Sequence, residues 1–245
     1  MSVMTAYLNI LETSAVTLTA GAEDASAPLW RLYDRNIGRM FKTAAAVTLK
    51  VLVDQGASPV AVDRLLVPSG HNLAGMTLNI KNSSDNITFT PAVTQWTGMS
   101  GLIDKSWAFV SKRYWEFSVT TPASIPQIPE LFLTSAYAWP RNPSRPSGPF
   151  DPEFNVLSDV TASGQDRFLV MGAPKRVRRY TVPRASTAMR DSMLAFNAAW
   201  AGAYPFWLCD NDGVWIFGKL TAPLNVTEVA SGSYSLEFDF EEVLP

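Results

Sequence analysis

His71 and Cys209 are the only histidine and the only cysteine of the chain, so a Cys-His nucleophilic pair would have to bring these two side chains together. Cys209 closes the apolar run FWLC and His71 sits in the turn-like PSGHN, which favours a buried inert thiol and a turn histidine. One cysteine forbids an internal disulfide, and one histidine forbids a multi-histidine metal cage. Asp210 and Asp212 would be candidate acid and base for glycosidic cleavage, but they flank a hairpin signal, Asp212-Gly213, where aspartate also serves backbone hydrogen bonding. Asp34 and Asn36, in LYDRNIG, could help to ligate calcium in a loop; a turn without metal is the competing reading. Trp96, Trp107, Tyr137 and Trp139 lie near expected loops or strand ends, where flat rings can stack on sugars. With eight tryptophans in the chain, ordinary burial in thin β-domains is the alternative for each. No Walker loop, dinucleotide glycine fingerprint, zinc-protease helix motif or nucleophile elbow occurs. No residue therefore stands out as catalytic, and no cofactor is implied.

The composition bounds what these residues can be part of. The chain has 245 residues, 47% hydrophobic and 17% charged, with 20 basic against 22 acidic side chains. That much apolar material excludes a disordered protein and suits one large or two modest domains. The near balance of charge supplies no global field for nucleic acid or an anionic membrane. No apolar run approaches the roughly 18 residues that span a bilayer. The first twenty residues hold no Lys or Arg and carry Glu12, unlike a secretory start, so synthesis in the cytosol without membrane insertion is expected.

The elements that must position these residues read as short strands. In VTLKVLVD, at 47 to 54, Val47, Leu49, Val51 and Val53 alternate with polar residues, the period of a strand with one buried face. Further runs at 62 to 67, 76 to 80, 87 to 90, 114 to 120 and 131 to 134, separated by Pro, Gly, Asn, Asp or Ser clusters, have the spacing of a sandwich. Residues 139 to 154, WPRNPSRPSGPFDPEF, carry Pro140, Pro143, Pro146, Pro149 and Pro152 at every third position, matching polyproline II. This stretch is expected to be a stiff linker or arm between domains at 1 to 138 and 155 to 245. Strands are expected beyond it at 167 to 171, 178 to 182, 206 to 209, 214 to 220, 226 to 229 and 233 to 240. One helix interrupts them, with Ser186 as its cap, Met189, Met193, Phe196 and Trp200 as its apolar stripe and Gly202 as its stop. The fold class is mostly all-β.

Charge is divided within the second domain. Nine basic and four acidic residues lie between Arg141 and Arg190, against one basic and eight acidic from Asp191 to Pro245. Lys175, Arg176, Arg178 and Arg179 lack the flanking spread of cations that a phosphate track needs. Either they pair with Glu237, Asp239, Glu241 and Glu242 inside one subunit, or one copy's basic surface meets the next copy's acidic surface in a ring.

The succession PLWRLYDRNIGRMFKT, VTLKVLVDQG, VDRLLVPSGHNLAG, SKRYWEFSVT and PQIPELFLT, over residues 28 to 135, resembles the discoidin-like (F5/8 type C, galactose-binding-like) jelly roll. The GHNL turn, the junction to a second β-domain, and that domain's order of strand (Gly172 to Arg179), helix, FWL strand, Asp-Gly hairpin and acidic last strand resemble tail-tip proteins of long-tailed bacteriophages, similar in role to distal tail proteins. The resemblance implies a non-enzymatic virion component, a β-sandwich jelly roll followed by a compact β-barrel or β-sandwich domain with one helix. It implies a homo-oligomeric ring around the tail axis with other tail and baseplate proteins as partners. The jelly roll would support receptor-binding parts or touch host glycan through Trp96, Trp107, Tyr137 and Trp139. The rival functions are a carbohydrate-binding module that adsorbs to cell-surface glycan and, last, a glycoside hydrolase.

Overall fold

The computed structural model of the chain describes residues 3–120, 122–144, 151–154, 156–160, 165–170, 172–201 and 204–244. The chain divides into two compact units, one of Ala6–Tyr137 and one of residues 3–5 with Ala138–Leu244. Both are built mainly of strands, and among the described residues no helix is long and apolar enough to cross a membrane.

The N-terminal unit is a β-sandwich. One sheet runs Ala15–Ala20, Leu49–Asp54, Tyr114–Thr120, Thr77–Ser83 and Thr90–Pro91, with Trp96–Thr97 also on Thr77–Ser83. Facing strands are Phe132–Thr134, Ala61–Val67 and Ile103–Ser111, beside the short pair Gln127–Ile128 and Phe41–Lys42. Strand periodicity explains the layering: Leu49, Val51 and Val53, Leu78 and Ile80, and Trp115, Phe117 and Val119 point inward and are buried. The expected strand at 87 to 90 does not form as drawn. Asp85 Oδ1 accepts the N–H groups of Ile87 and Thr88, both at 2.9 Å, which closes a turn and leaves Ile87 84% exposed. Only Thr90–Pro91 pairs there.

The C-terminal unit is organised around Ser233–Glu242, which pairs with Lys175–Ser186 on one side and with Trp215–Leu220 and Asn225–Ala230 on the other. These belong to one eight-stranded sheet that also takes in Phe206–Cys209, Met4–Ala6, Tyr137–Ala138 and Asp151–Glu153. Leu236, Phe238 and Phe240 are buried, as their alternation requires. The helix forms over Thr187–Phe196, where Ser186 Oγ accepts the Met189 N–H at 3.3 Å and Met189, Met193 and Phe196 are buried. The Trp200 side chain and the Gly202 stop lie outside the described residues. At the hairpin Gly213 has φ +81°, and Asp210 Oδ1 accepts from the N–H groups of Asp212 and Val214.

The proline-rich stretch is built into this unit at both of its described ends. Trp139 is buried, donates its N–H to Val3 O at 2.9 Å and sets its ring edge-on to Phe238. Asn142 Oδ1 accepts from the Val3 N–H. Pro152 is in an edge strand opposite Arg176, a position open to proline because an edge leaves one side unpaired. Pro146 and Pro149 lie outside the described residues.

Candidate functional site: a polar groove on the outer sheet face

The same alternation that sends Trp115, Phe117 and Val119 inward sends Glu116, Ser118 and Thr120 outward. Register brings them beside outward residues of the neighbouring strands. Ser118 stands opposite Lys50 on one side and Asn79 on the other, and Glu116 stands opposite Lys81. Residues 92 to 95 connect two short strands that both pair with Thr77–Ser83, and they raise a wall along the face. The Ala92 N–H donates to Ile80 O at 2.9 Å and anchors that wall. Lys50, Asn79, Lys81, Glu116, Ser118 and Thr120 with residues 91 to 95 enclose an open groove of about 990 Å³.

Its electrostatics are mixed. Lys50 Nζ lies 3.7 Å from Glu116 Oε2, with side chains 40% and 12% exposed. Among the described residues Lys81 has no carboxylate at ion-pair distance, so the groove floor presents an ammonium, an amide and hydroxyls to solvent. Pro91, Ala92 and Val93 supply an apolar strip along one wall. Such a surface can hydrogen-bond a hydroxyl-rich ligand while its C–H faces lie on that strip. A second hollow, between the helix and sheet of the C-terminal unit and lined by Trp139, Met193, Phe206 and Phe238, has room only for about one water.

The residues singled out by sequence fall elsewhere. Trp107 packs on Trp115 with ring centroids 5.6 Å apart and donates its indole N–H to Val62 O. Trp96 is half-buried against the same core and carries Lys105 Nζ 5.5 Å from its ring centroid. Trp139 lies in the core of the C-terminal unit, and Tyr137 is 38% exposed. Trp96, Trp107 and Tyr137 belong to the N-terminal unit and Trp139 to the other.

Asp34 Oδ1 accepts the Asn36 N–H, and Asn36 Oδ1 accepts the Gly38 N–H; both oxygens close the turn. Among the described residues no group of three or more His, Cys, Asp or Glu is placed to hold a metal ion. The neighbouring Arg35, with φ +57°, is the hub of a buried charge cluster. Its Nε donates to Glu12 Oε1 at 2.6 Å, a second guanidinium nitrogen donates to Tyr7 O, and its backbone N–H donates to Glu130 Oε2 at 3.0 Å. Glu130 is fully buried, and its Oε1 has no hydrogen-bond partner. Burial, then the charges of Asp34 and Glu12, push the Glu130 carboxyl well above the usual carboxylate range. Burial also raises Glu12, against the opposing pull of Arg35.

His71 accepts the Leu73 N–H on Nδ1 at 3.2 Å, so the proton resides on Nε2, which donates to Gly101 O at 2.7 Å. Burial lowers its pKa, and it is a neutral loop tie. Cys209 is buried in the other unit, where its thiol donates to Asp210 O at 3.8 Å. The opposed charges pair within the chain: Lys175 with Glu241, Arg176 with Glu242, Arg179 with Asp239, and Arg178 with Asp210 at 3.6 Å. Glu237 stands opposite Thr181 and Asn225 on the neighbouring strands. Of the two readings of that charge pattern, intramolecular pairing is the one the structure shows. The groove residues were written in the alternations KVLVD, TLNIKN and YWEFSVT, but strand order, which only the fold supplies, makes them neighbours.

No protein-family model matches the chain, and no curated protein matches it. Similar solved structures include chitosan-binding module 1 from a chitosanase/glucanase of Paenibacillus sp. IK-5, with 19% identity and a TM-score of 0.45 over 53% of this chain and 100% of that one. CBM32-1 from a family 31 glycoside hydrolase of Clostridium perfringens gives 12% identity and a TM-score of 0.43 over 53% and 99%. A GH29 fucosidase of Ruminococcus gnavus in complex with fucose gives 14% and 0.46, with 53% of this chain but 27% of that one covered. The resemblance to phage tail-tip proteins gains no support from these structures. At identities of 19% or less and TM-scores below 0.5, none of them assigns a ligand or a residue role to this chain.

Proposed function

We propose that this chain is a non-catalytic carbohydrate-binding protein that holds a polysaccharide along the outer groove of its N-terminal sandwich. The observation that carries this reading is the row Lys50, Ser118 and Asn79 on three adjacent strands, with Lys81 and Glu116 forming the next row. Adjacent strands are about 4.8 Å apart, so three of them offer donors and acceptors across about 10 Å, the span of a short oligosaccharide. The side chains stand on paired strands and are positioned before the ligand arrives, which limits the entropy lost on binding. An open groove suits an extended chain running through it. Glycosidic cleavage uses two carboxylates, whereas Glu116 is the single one in the lining.

The test is affinity electrophoresis of the intact protein in gels containing neutral, acidic or amino-sugar polysaccharides, followed by calorimetry on the best one. The double variant Asn79→Ala with Lys81→Ala alters only outward positions, so the fold is retained, and it should lose at least about tenfold in affinity, as expected for two removed polar contacts. Retardation by no polysaccharide, or unchanged binding by the double variant, refutes the assignment.

A further inference from the structure

We propose, resting on the carbohydrate-binding assignment, that the groove of the N-terminal sandwich selects a uronic-acid polysaccharide, with the Lys81 ammonium as the partner of a sugar carboxylate. Register places Lys81 opposite Glu116 on one neighbouring strand and opposite Pro91 on the other. Side chains directly opposed on paired strands have Cβ atoms about 5 Å apart, within reach of an ion pair. Glu116 nevertheless turns the other way. Its Oε2 lies 3.7 Å from Lys50 Nζ, on the diagonal, and its side chain is only 12% exposed. On the far side of Lys81, Pro91, Ala92 and Val93 offer no anion. The groove therefore holds two ammonium groups against one carboxylate, and the half-buried Lys81 is the one left uncompensated.

That arrangement discriminates among glycans. The groove lining, among the described residues, contains no aromatic ring, so the stacking of rings on sugar faces cannot supply the affinity and polar contacts must. A hydrogen bond between opposite charges is roughly twice as strong as a neutral one. The apolar wall keeps water from one side of the ammonium, which strengthens its attraction for an anion. An amino sugar would instead bring a second ammonium to Lys81, with Glu116 already turned to Lys50. A neutral sugar would leave the Lys81 charge partly desolvated without a counter-charge.

Spacing suits a sugar acid as well. Lys81 and Asn79 are successive outward positions of Thr77–Ser83, about 7 Å apart along the strand. A carboxylate on Lys81 thus leaves the hydroxyls of the same or the next sugar beside Asn79 and its cross-strand neighbour Ser118. One uncompensated ammonium also fits a polymer with one acid group per sugar better than the denser charge of a sulfated glycan.

Calorimetry of the intact chain with polygalacturonate, alginate and hyaluronate, each beside its methyl ester, varies the charge while keeping the backbone. At least one acid should bind about tenfold or more tighter than its own ester at low salt, the scale of one charge-assisted hydrogen bond, and the preference should shrink as salt rises. Lys81→Gln should remove that preference and Lys81→Arg should keep most of it, while Asn79→Ala should weaken acid and ester alike. Esters bound as tightly as their acids, a preference that Lys81→Gln leaves intact, or tighter binding of chitosan or dextran sulfate than of every polyuronate would each overturn the proposal. If a neutral polymer is then still bound, and lost in the Asn79→Ala, Lys81→Ala double variant, the carbohydrate-binding assignment stands without it; binding of no polysaccharide overturns both.

Discussion

Replacing Glu130 by Gln tests the buried cluster around Arg35 in a way that has a definite sign. Glu130 is fully buried, one oxygen accepts the Arg35 N–H and the other has no partner, while burial and the nearby Asp34 and Glu12 charges raise its pKa well above the ordinary glutamate value of 4.5. In the unfolded chain the carboxyl titrates near 4.5; in the folded chain it holds its proton to higher pH. The folded state therefore binds more protons across that window, and stability falls as pH rises from about 4.5 through the folded pKa, with a slope of up to about 1.4 kcal/mol per pH unit for one proton. Below the unfolded value this loss is absent. Gln resembles the protonated acid in size and keeps an acceptor for the Arg35 N–H, but it cannot ionise. E130Q should thus match the parent near pH 4 and become progressively more stable than it toward neutral pH. Because the chain has two units, the assay is urea unfolding read by peptide-resolved hydrogen exchange over Tyr114–Thr120, which reports the N-terminal unit alone. Parallel pH profiles for parent and variant, or a parent that gains on E130Q as pH rises, would refute the reasoning.

Four further outcomes are expected. Asp210→Ala removes the acceptor for two turn amides and the carboxylate 3.6 Å from Arg178, so urea unfolding of the C-terminal unit should show a loss of about 1–3 kcal/mol. Asp239→Asn breaks an Arg179 pair whose arginine side chain is 70% exposed; calorimetry should find a change of less than about 1 kcal/mol that shrinks further in salt. Gly218→Ala drives a Cβ into the Glu241 carbonyl and the Phe240 ring, and thermal melting should register about 1–3 kcal/mol of destabilisation. Ser186→Ala deletes the cap that accepts the Met189 N–H, which should cost about 1 kcal/mol and raise exchange in the first helical turn.

Much of the architecture is legible in local pattern. Alternation in KVLVD and YWEFSVT, the Ser186 cap with its Met189, Met193 and Phe196 stripe, and the Asp212-Gly213 turn all depend on a few neighbouring residues, and all appear where those residues place them. The strand expected at 87 to 90 misled because Asp85 offers the backbone a turn that outcompetes a short apolar run. Ile103–Ser111 escaped notice since its outward positions include Phe109, which blurs the period.

What the sequence by itself determined is which residues turn inward, because side-chain direction in a strand or helix follows from period alone. Neighbourhood across strands was decided only by the tertiary structure. Lys50, Asn79 and Ser118 are 29 and 39 residues apart in sequence yet stand in one row, and Arg35 meets Glu130 across 95 residues. Pairing order and register are set by long-range packing, where many alternatives share the same local alternation and only the assembled core distinguishes them.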